Sequence, residues 1–365
     1  MKSSLSEKRI LITGACGTVG AELVRQLLAE ERYSPAEVIG LDNNETDLFF
    51  LDQTYLSDSR ARFYLADIRD RDELSRRMRG IDVVFHAAAY KHVILCERSP
   101  EQAVQTNILG VQNIIAAALE NDVGKVIFTS SDKAVNPTNV MGTSKLMGER
   151  LMTAANSHKH HNGPVFASTR FGNVLGSNGS VVPIFHNQIA RGGPLTLTDP
   201  EMTRFVMSIE DSVRLVIDSA EIARGGEVFI TKMPVVRIED LALAMIQKLA
   251  ARYAYQPDDI KIDVIGLKPG EKLYEELMSD EEMRRSLELS RYFAVLPAFR
   301  GVYHDIDYSF ADIQSDEVSN PYVSAQETSL SVEEIVKLLE DNNLLDQPNE
   351  SSGNRYWPGD KEERD

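Results

Sequence analysis

The chain has little that would tie it to an oxidising compartment, a membrane or a nucleic acid. Only two of its 365 residues are cysteine, Cys16 and Cys96. They form neither a metal-ligand pattern nor a disulfide framework, so a thiol-stapled fold is excluded and a reducing cytoplasm is the expected home. No apolar run approaches the ~20 residues that a membrane-spanning helix needs. The opening MKSSLSEKRILITG passes into a strand pattern without the apolar core of a signal peptide. Positive charge is scarce: 39 Lys and Arg against 56 Asp and Glu leave a net charge of −17. Such a surface repels phosphodiester chains, which argues against nucleic acid as a partner. A small phosphorylated ligand stays open, because a pocket can be locally basic in an acidic protein. Tryptophan occurs once, as Trp357, in a polar tail after Asp346 that reads as disordered. Internal repeats are absent. The cluster HKHH (158–161) has no carboxylate or cysteine at ligand spacing, so it reads as a solvated helix end and no metal is expected.

What the chain does have is alternation. RILITG (9–14), EVIGLD (37–42), RFYLAD (62–67), DVVFHAAA (82–89) and KVIFTSS (125–131) are short β-branched runs separated by stretches of helical periodicity. This rhythm predicts an α/β fold, a Rossmann-type doubly wound parallel sheet with helices on both faces. The longest helix is expected from about Ser99 to Asn121. After Arg170 the pattern loosens. Strands near 227–231 and 261–265, with helices near 211–223, 238–251 and 331–340, predict a smaller C-terminal α/β substrate lobe. KPGEKLYEEL (268–277) reads as a turn feeding a helix, and DEEMRRSLE (280–288) as a charged, solvent-facing helix. The expected division is a nucleotide-binding domain over 1–170, to which later segments return, a lobe over 171–346 and a tail over 347–365.

Gly14, Gly17 and Gly20 of TGACGTVG lie between the first strand and the first helix, with Thr18 and Val19 in the same turn. Glycine there permits a tight turn and lets backbone N–H groups approach a pyrophosphate at the helix N-terminus. Asp42 ends the second strand, where a carboxylate accepts from both ribose hydroxyls and repels a 2′-phosphate, which favours NAD over NADP. Asp67 and Ile68, at the end of the third, are placed to meet the adenine. Ala87, Ala88 and Ala89 end the fourth, where small side chains let the cofactor pass. The fifth strand ends in Ser130, Ser131, Asp132 and Lys133, at the edge that faces the ligand crevice in such sheets. A carboxyl group there can give a proton to a leaving hydroxide, and an amine can remove a proton beside a carbonyl. The segment closes on Met141 and Lys145. Many nicotinamide enzymes place a tyrosine base one helical turn before such a lysine. A thioether cannot accept a proton, so the site is either silent or moves protons by another route.

Seven ordered segments carry a resemblance: TGACGTVG, HAAAYKHV, TNILGVQN, SSDKAVNPTNVMGTSK, RFGNVLGSNGSVVPIF, TDPEMTRF and KPGEKLYEEL. Together they resemble the nucleotide-sugar 4,6-dehydratases of the extended short-chain dehydrogenase/reductase superfamily. The nearest branch is the UDP-N-acetylglucosamine 4,6-dehydratases of bacterial polysaccharide and bacillosamine-type glycan synthesis. The resemblance implies a tightly bound NAD regenerated in each cycle, with Asn107 among its contacts and Lys145 on the nicotinamide ribose. It implies Lys133 as the base at carbon 5 and Asp132 as the acid for the hydroxyl leaving carbon 6, with Ser131 able to hold a water. It further implies Lys91, Asn173, Ser180 and Arg204 near the diphosphate, and Lys268 and Glu271 near the uridine ribose. Many relatives have arginine at the position of Lys268; lysine keeps the charge but loses the bidentate fork. Tyr90 stands where leucine is usual. Members with tyrosine at the position of Met141 invert carbon 5, and members with methionine retain it. The chain resembles the second branch, with Met141 expected to pack on the sugar or nicotinamide. Many members of that branch carry N-terminal membrane spans, whereas this sequence resembles a soluble short form. A homo-oligomer is expected, paired through helices at 99–121 and 142–157. Alternatives within the family are an inverting dehydratase, a GDP-sugar dehydratase and a 4-epimerase, although a 4-epimerase should need the tyrosine and lack the Asp–Lys pair. A catalytically silent NAD-binding scaffold is the alternative from another class.

Overall fold

The structure, a computed structural model, describes residues 3–157, 163–177, 179–267, 270–299 and 306–346. The HKHH cluster, Lys268 and the tail from 347 onward, with Trp357, lie outside the described residues. The chain divides into two compact units. The first comprises 1–171, 210–232 and 276–322, and the second 172–209, 233–275 and 323–365.

The first unit is built on a sheet of ten strands among the described residues. Six come from the first half of the chain: β1 Arg9–Thr13, β2 Glu37–Asp42, β3 Ala61–Leu65, β4 Val83–His86, β5 Lys125–Ser131 and β6 Val165–Phe171. Four come from the returning segments: β7 Val228–Thr231, β8 Ser286–Leu289, β9 Tyr292–Val295 and β10 Ile313–Ser315. The order is β10-β8-β9-β7-β6-β5-β4-β1-β2-β3. Strands β1 to β7 run parallel. The expected doubly wound α/β sheet is therefore present. The order reverses between β1 and β4, and in such sheets the ligand crevice opens at the carboxyl ends beside that reversal. Ile10, Leu11 and Ile12 are all fully buried, as a strand covered on both faces requires.

Three departures from the sequence reading concern local structure. DEEMRRSLE is one helical turn, Asp280–Met283, followed by β8. Strand β8 pairs antiparallel with β9. The short run had helical periodicity, but pairing on a sheet edge supplies its backbone with partners that a solvent-facing helix would not need. Residues 270–279 carry no helix. The long helix of 99–121 is interrupted: Pro100–Ala103 is α-helical, Val104–Leu109 is π-helical and Gly110–Glu120 is α-helical again. A π segment widens the turn and redirects side chains, a device common at functional sites. Here it buries Thr106 and Asn107.

Two helices position the site. Helix α1, Thr18–Ala29, follows β1 directly. Helix α2, Val140–Ala155, begins where the Asn139 side chain accepts the Gly142 N–H. It buries Met141, Ser144, Lys145, Gly148, Glu149 and Met152, a stripe of helical period. A side chain at Gly148 would come within 2.8 Å of the Phe128 ring, so glycine lets α2 press against β5. In the second unit, strands at 173–174, 203–207 and 235–237 form one small sheet, and strands at 195–197 and 262–264 another. Its core joins Phe185 and Ile189 to Leu241 and Met245 and to Ile335 and Leu339.

Candidate active site

The turn after β1 is shaped by what cannot fit there. Gly14 has φ of 72°, and a Cβ on it would lie 2.7 Å from the Ala88 nitrogen. A Cβ on Gly20 would lie 1.9 Å from the Gly14 carbonyl oxygen. Gly17 donates its N–H to that same oxygen at 3.0 Å. Gly17 is the N-cap of α1 and gives no side-chain cap, and the first turn holds no acidic residue. The N–H groups of Thr18 and Val19 thus point out of a dipole end suited to an anion. Asp42 ties the turn to β2: its Oδ2 accepts the Cys16 N–H at 2.9 Å and its Oδ1 the Asn44 N–H at 3.0 Å. A glycine cradle, an uncapped helix start and a carboxylate at the second strand fit a dinucleotide. Gly20→Ala is expected to destabilise the protein by about 1–3 kcal/mol and to empty it of nucleotide, because backbone must move. The absorbance ratio at 260 and 280 nm and a thermal melt check this.

Asp67 follows β3, and the bidentate Arg69 guanidinium holds its carboxyl below the usual range. Ile68 is buried. Ala87 donates its N–H to the Thr13 carbonyl at 3.1 Å. Asn107 is 1% exposed and faces protein. Its amide accepts from the Tyr90 N–H at 2.8 Å and donates to the Tyr90 carbonyl at 3.0 Å and to Ser144 Oγ at 2.9 Å. It therefore acts on the crevice by fastening the loop after β4 to α2. Lys91, next in that loop, is exposed.

The fifth strand brings the reacting groups together. Asp132 is 1% exposed. Its Oδ1 accepts from Ser131 Oγ at 2.7 Å, from the Lys133 N–H at 2.8 Å and from Lys133 Nζ at 3.0 Å. The pair can thus present a donor and an acceptor side by side. Lys145 Nζ donates to the Thr129 carbonyl at 2.9 Å and lies 4.7 Å above the Phe128 ring. Burial lowers its amine to about 8, against the pull of Glu149. Met141 is 3% exposed and packs with Cys96 and Ala103, with Val93 and Val140 against them. The start of α2 thus sets the Met141 side chain within a small protein cluster.

Beneath these groups lie residues that the sequence reading passes over. Arg170 is fully buried and makes a fork to Glu149, with Nη2 to Oε2 at 2.5 Å, and a second contact to Glu282 at 3.1 Å. His86 shares a hydrogen bond of 2.7 Å with Thr13 Oγ1. Burial, then the charge of Lys145, pushes its imidazole down to about 3, so it stays neutral. The available signal was a charged or titratable residue inside an apolar strand run, as in VFASTRF and DVVFHAAA.

The remaining expected residues belong to the second unit. Asn173 sits in the strand at 173–174, paired with Val206. Ser180 is the N-cap of the helix Val181–Ala190. Arg204 donates to the carbonyls of Thr203 and Lys272, both at 2.8 Å, and its Nε lies 3.6 Å from Glu275. Those bonds brace the 272–275 segment. Glu271 is exposed. Among the described residues no group of His, Cys, Asp and Glu could hold a metal ion. No described helix is long and apolar enough to cross a membrane.

Comparison with known proteins places these features. The chain is 50% identical over 291 residues to an uncharacterised membrane protein of Methanocaldococcus jannaschii, covering 80% of this chain and 86% of that protein. It is 39% identical over 305 residues to a UDP-N-acetylglucosamine 4,6-dehydratase (inverting) of Campylobacter jejuni, covering 83% and 87%. It is 37% identical over 336 residues to a UDP-glucose 4-epimerase of Rickettsia akari, covering 91% and 95%. Among solved structures, Pen from Bacillus thuringiensis superposes with a TM-score of 0.84 at 38% identity, covering 93% of this chain and 99% of that one. DesIV, a dTDP-glucose 4,6-dehydratase from Streptomyces venezuelae solved with NAD, superposes with a TM-score of 0.63 at 26% identity, covering 73% and 86%. Residues 10–297 match the polysaccharide biosynthesis protein family. With that match, and the extended short-chain dehydrogenase/reductase fold that carries it, the chain belongs to the polysaccharide biosynthesis protein family, alongside nucleotide-sugar dehydratases and epimerases.

Proposed function

We propose that the protein is an NAD-dependent UDP-N-acetylglucosamine 4,6-dehydratase that retains the configuration of carbon 5. The observation that carries this reading is the Asp132–Lys133 pair, Nζ to Oδ1 at 3.0 Å, at the carboxyl end of β5. Bound NAD would supply the acceptor for hydride from carbon 4 and the donor of hydride to carbon 6. Gly14, Gly17 and Gly20 would hold it, with Asp42 toward its ribose and Lys145 toward the nicotinamide ribose. The cycle starts with Lys133 as the free amine and Asp132 as the carboxylate, which takes the proton of the 4-hydroxyl. Ser131 supports that choice, since its hydroxyl hydrogen is directed at Asp132. Lys133 Nζ then removes the proton at carbon 5, which the 4-keto group has made acidic. Asp132 passes its proton to the hydroxyl leaving carbon 6, and water departs. Lys133 returns its proton to carbon 5, and both groups end as they began.

Retention follows from counting donors. Lys133 gives the proton back to the face it took it from. Inversion needs a second donor on the opposite face, and Met141 stands where a tyrosine would serve. Asn173, Ser180, Glu271 and Lys268 are the proposed contacts to the nucleotide. The named Campylobacter relative is inverting and the Rickettsia relative is an epimerase, so stereochemistry is the discriminating result. Purified protein is incubated with UDP-N-acetylglucosamine in heavy water and followed by NMR. A 4-keto-6-deoxy product with the starting ring configuration is expected. An inverted product, or a plain 4-epimer, overturns the retaining reading. Unchanged sugar with NAD still bound, after GDP-linked sugars have also been tried, overturns dehydration itself.

A further inference from the structure

Glu149 takes no step in the cycle above, yet two strands of the first unit converge on it. Its Oε1 accepts from Ser130 Oγ at 2.5 Å and from Arg170 Nε at 3.0 Å, and its Oε2 from Arg170 Nη2 at 2.5 Å. Ser130 and Arg170 are direct partners in the β5–β6 register. Opposed residues of neighbouring strands leave the sheet on one face, and here that is the face α2 covers. Arg170 continues to the Leu277 carbonyl at 2.7 Å and to Glu282 at 3.1 Å. Two carboxylates thus share one guanidinium, and the surplus negative charge is matched by the ammonium of Lys145, one turn before Glu149 on α2. Ser130 lies two residues before Asp132, so the same carboxylate that faces Lys145 also anchors the strand end carrying the acid and the base.

We propose, on the functional reading given above, that Glu149 is a positioning residue for the dehydration: it locks α2 to the ends of β5 and β6 and sets its charge one helical turn from Lys145. The Lys145 amine is held near 8 by two opposed effects, burial and the Glu149 charge. A group balanced there changes state when one neighbouring charge is removed. The elements packed against α2 bring other charges. Asp132 and Lys133 after β5 pair with each other. Arg170 in β6 bonds Glu149 itself, and His86 in β4 is neutral. Glu97 accepts the Val140 N–H at the start of α2. None of these replaces the Glu149 carboxylate beside Lys145.

The test reads Lys145 directly in the purified holoprotein. Lysine labelled with ¹³C at Cε is titrated by NMR, and the Lys145 signal is assigned by its loss in Lys145→Arg. Glu149→Gln keeps an oxygen for Ser130 and removes the charge. Its Lys145 midpoint should fall by about one unit or more. The alkaline limb of kcat/KM, where activity is lost as Lys145 gives up its proton, should move to lower pH by the same amount. KM should stay within about threefold, since the nucleotide contacts are untouched. Ser130→Ala removes only a neutral donor and should leave the midpoint in place. Where Glu149→Gln does not fold, Glu282→Gln removes the second carboxylate and should shift Lys145 in the same direction. An unmoved midpoint in the folded, NAD-loaded variant overturns the proposal. Wild-type protein that fails to dehydrate the sugar overturns the functional reading instead, and the titration still decides the role of Glu149.

Discussion

Lys133→Ala is expected to lower kcat for dehydration by about 10²–10⁴-fold while NAD stays bound at the wild-type ratio. The size is that of a positioned general base. The carbon 5 proton leaves only after carbon 4 is a ketone, and Lys133 Nζ is held beside Asp132 at 3.0 Å. The loss should be confined to chemistry. Asp132 keeps the Ser131 hydroxyl and the backbone N–H of residue 133, two of the three donors that fix its Oδ1. The cofactor cradle lies on other elements, the β1 turn and the end of β2. Lys133→Arg separates the two roles of the side chain: it restores a cation next to Asp132 but cannot act as a base at working pH. Both variants should lose exchange of the carbon 5 hydrogen with heavy water. Normal turnover in Lys133→Ala would remove the amine from the mechanism, and rescue by arginine would reduce it to an ion-pair partner.

Arg170→Met should cost about 3–5 kcal/mol of stability, the largest structural effect expected in the chain. The guanidinium is fully buried, with Glu149 on one side and Glu282 on the other. Removing it takes the shared guanidinium from two buried carboxylates, leaving Glu282 only the more distant Arg285, and leaves the Leu277 carbonyl without its donor. Urea unfolding of the variant measures the cost. The pH dependence gives a second reading. Burial alone would raise the Glu282 carboxyl, but the Arg170 charge and hydrogen bonds outweigh it and hold the group at about 2, below its ordinary 4.5. A carboxylate depressed in the folded state adds stability that is complete above its unfolded value. That stability is lost as pH falls through the folded value. Wild-type stability should therefore drop between roughly pH 4.5 and 2. In Arg170→Met burial is opposed only by Ser279 and Arg285, so the variant should become more stable on mild acidification. A triple change of Arg170, Glu149 and Glu282 to neutral residues should recover much of the loss, because the penalty is one of uncompensated charge.

The parts of the site that were legible in the sequence are those made by neighbours along the chain. Gly14, Gly17 and Gly20 mark the turn because only a hydrogen fits where the helix leaves the strand. Asp132 and Lys133 are adjacent, so their contact needed only the end of β5 to be recognised. The alternation of apolar runs and helical stretches was enough for the doubly wound sheet. The reading faltered where local pattern and tertiary pairing disagree. DEEMRRSLE looks solvated in isolation, yet Glu282 reaches a buried arginine and the segment's end enters a strand paired on both sides. Asn107 is expected from the sequence to contact the cofactor, but that its amide fastens Tyr90 and Ser144 from a π-helical turn was not legible there.

By itself, then, the amino-acid order determined the β/α rhythm, the glycine turn and the Asp132–Lys133 contact, all products of interactions within a few residues. Only the tertiary structure decided that Glu149 and Arg170, 21 residues apart, and Arg170 and Glu282, 112 apart, share one buried cluster. It also decided that Met141 turns into protein. Charges so distant in sequence meet only when strand register and a returning segment bring them together. Whether a charge is buried depends on what covers it, and composition alone does not carry that information.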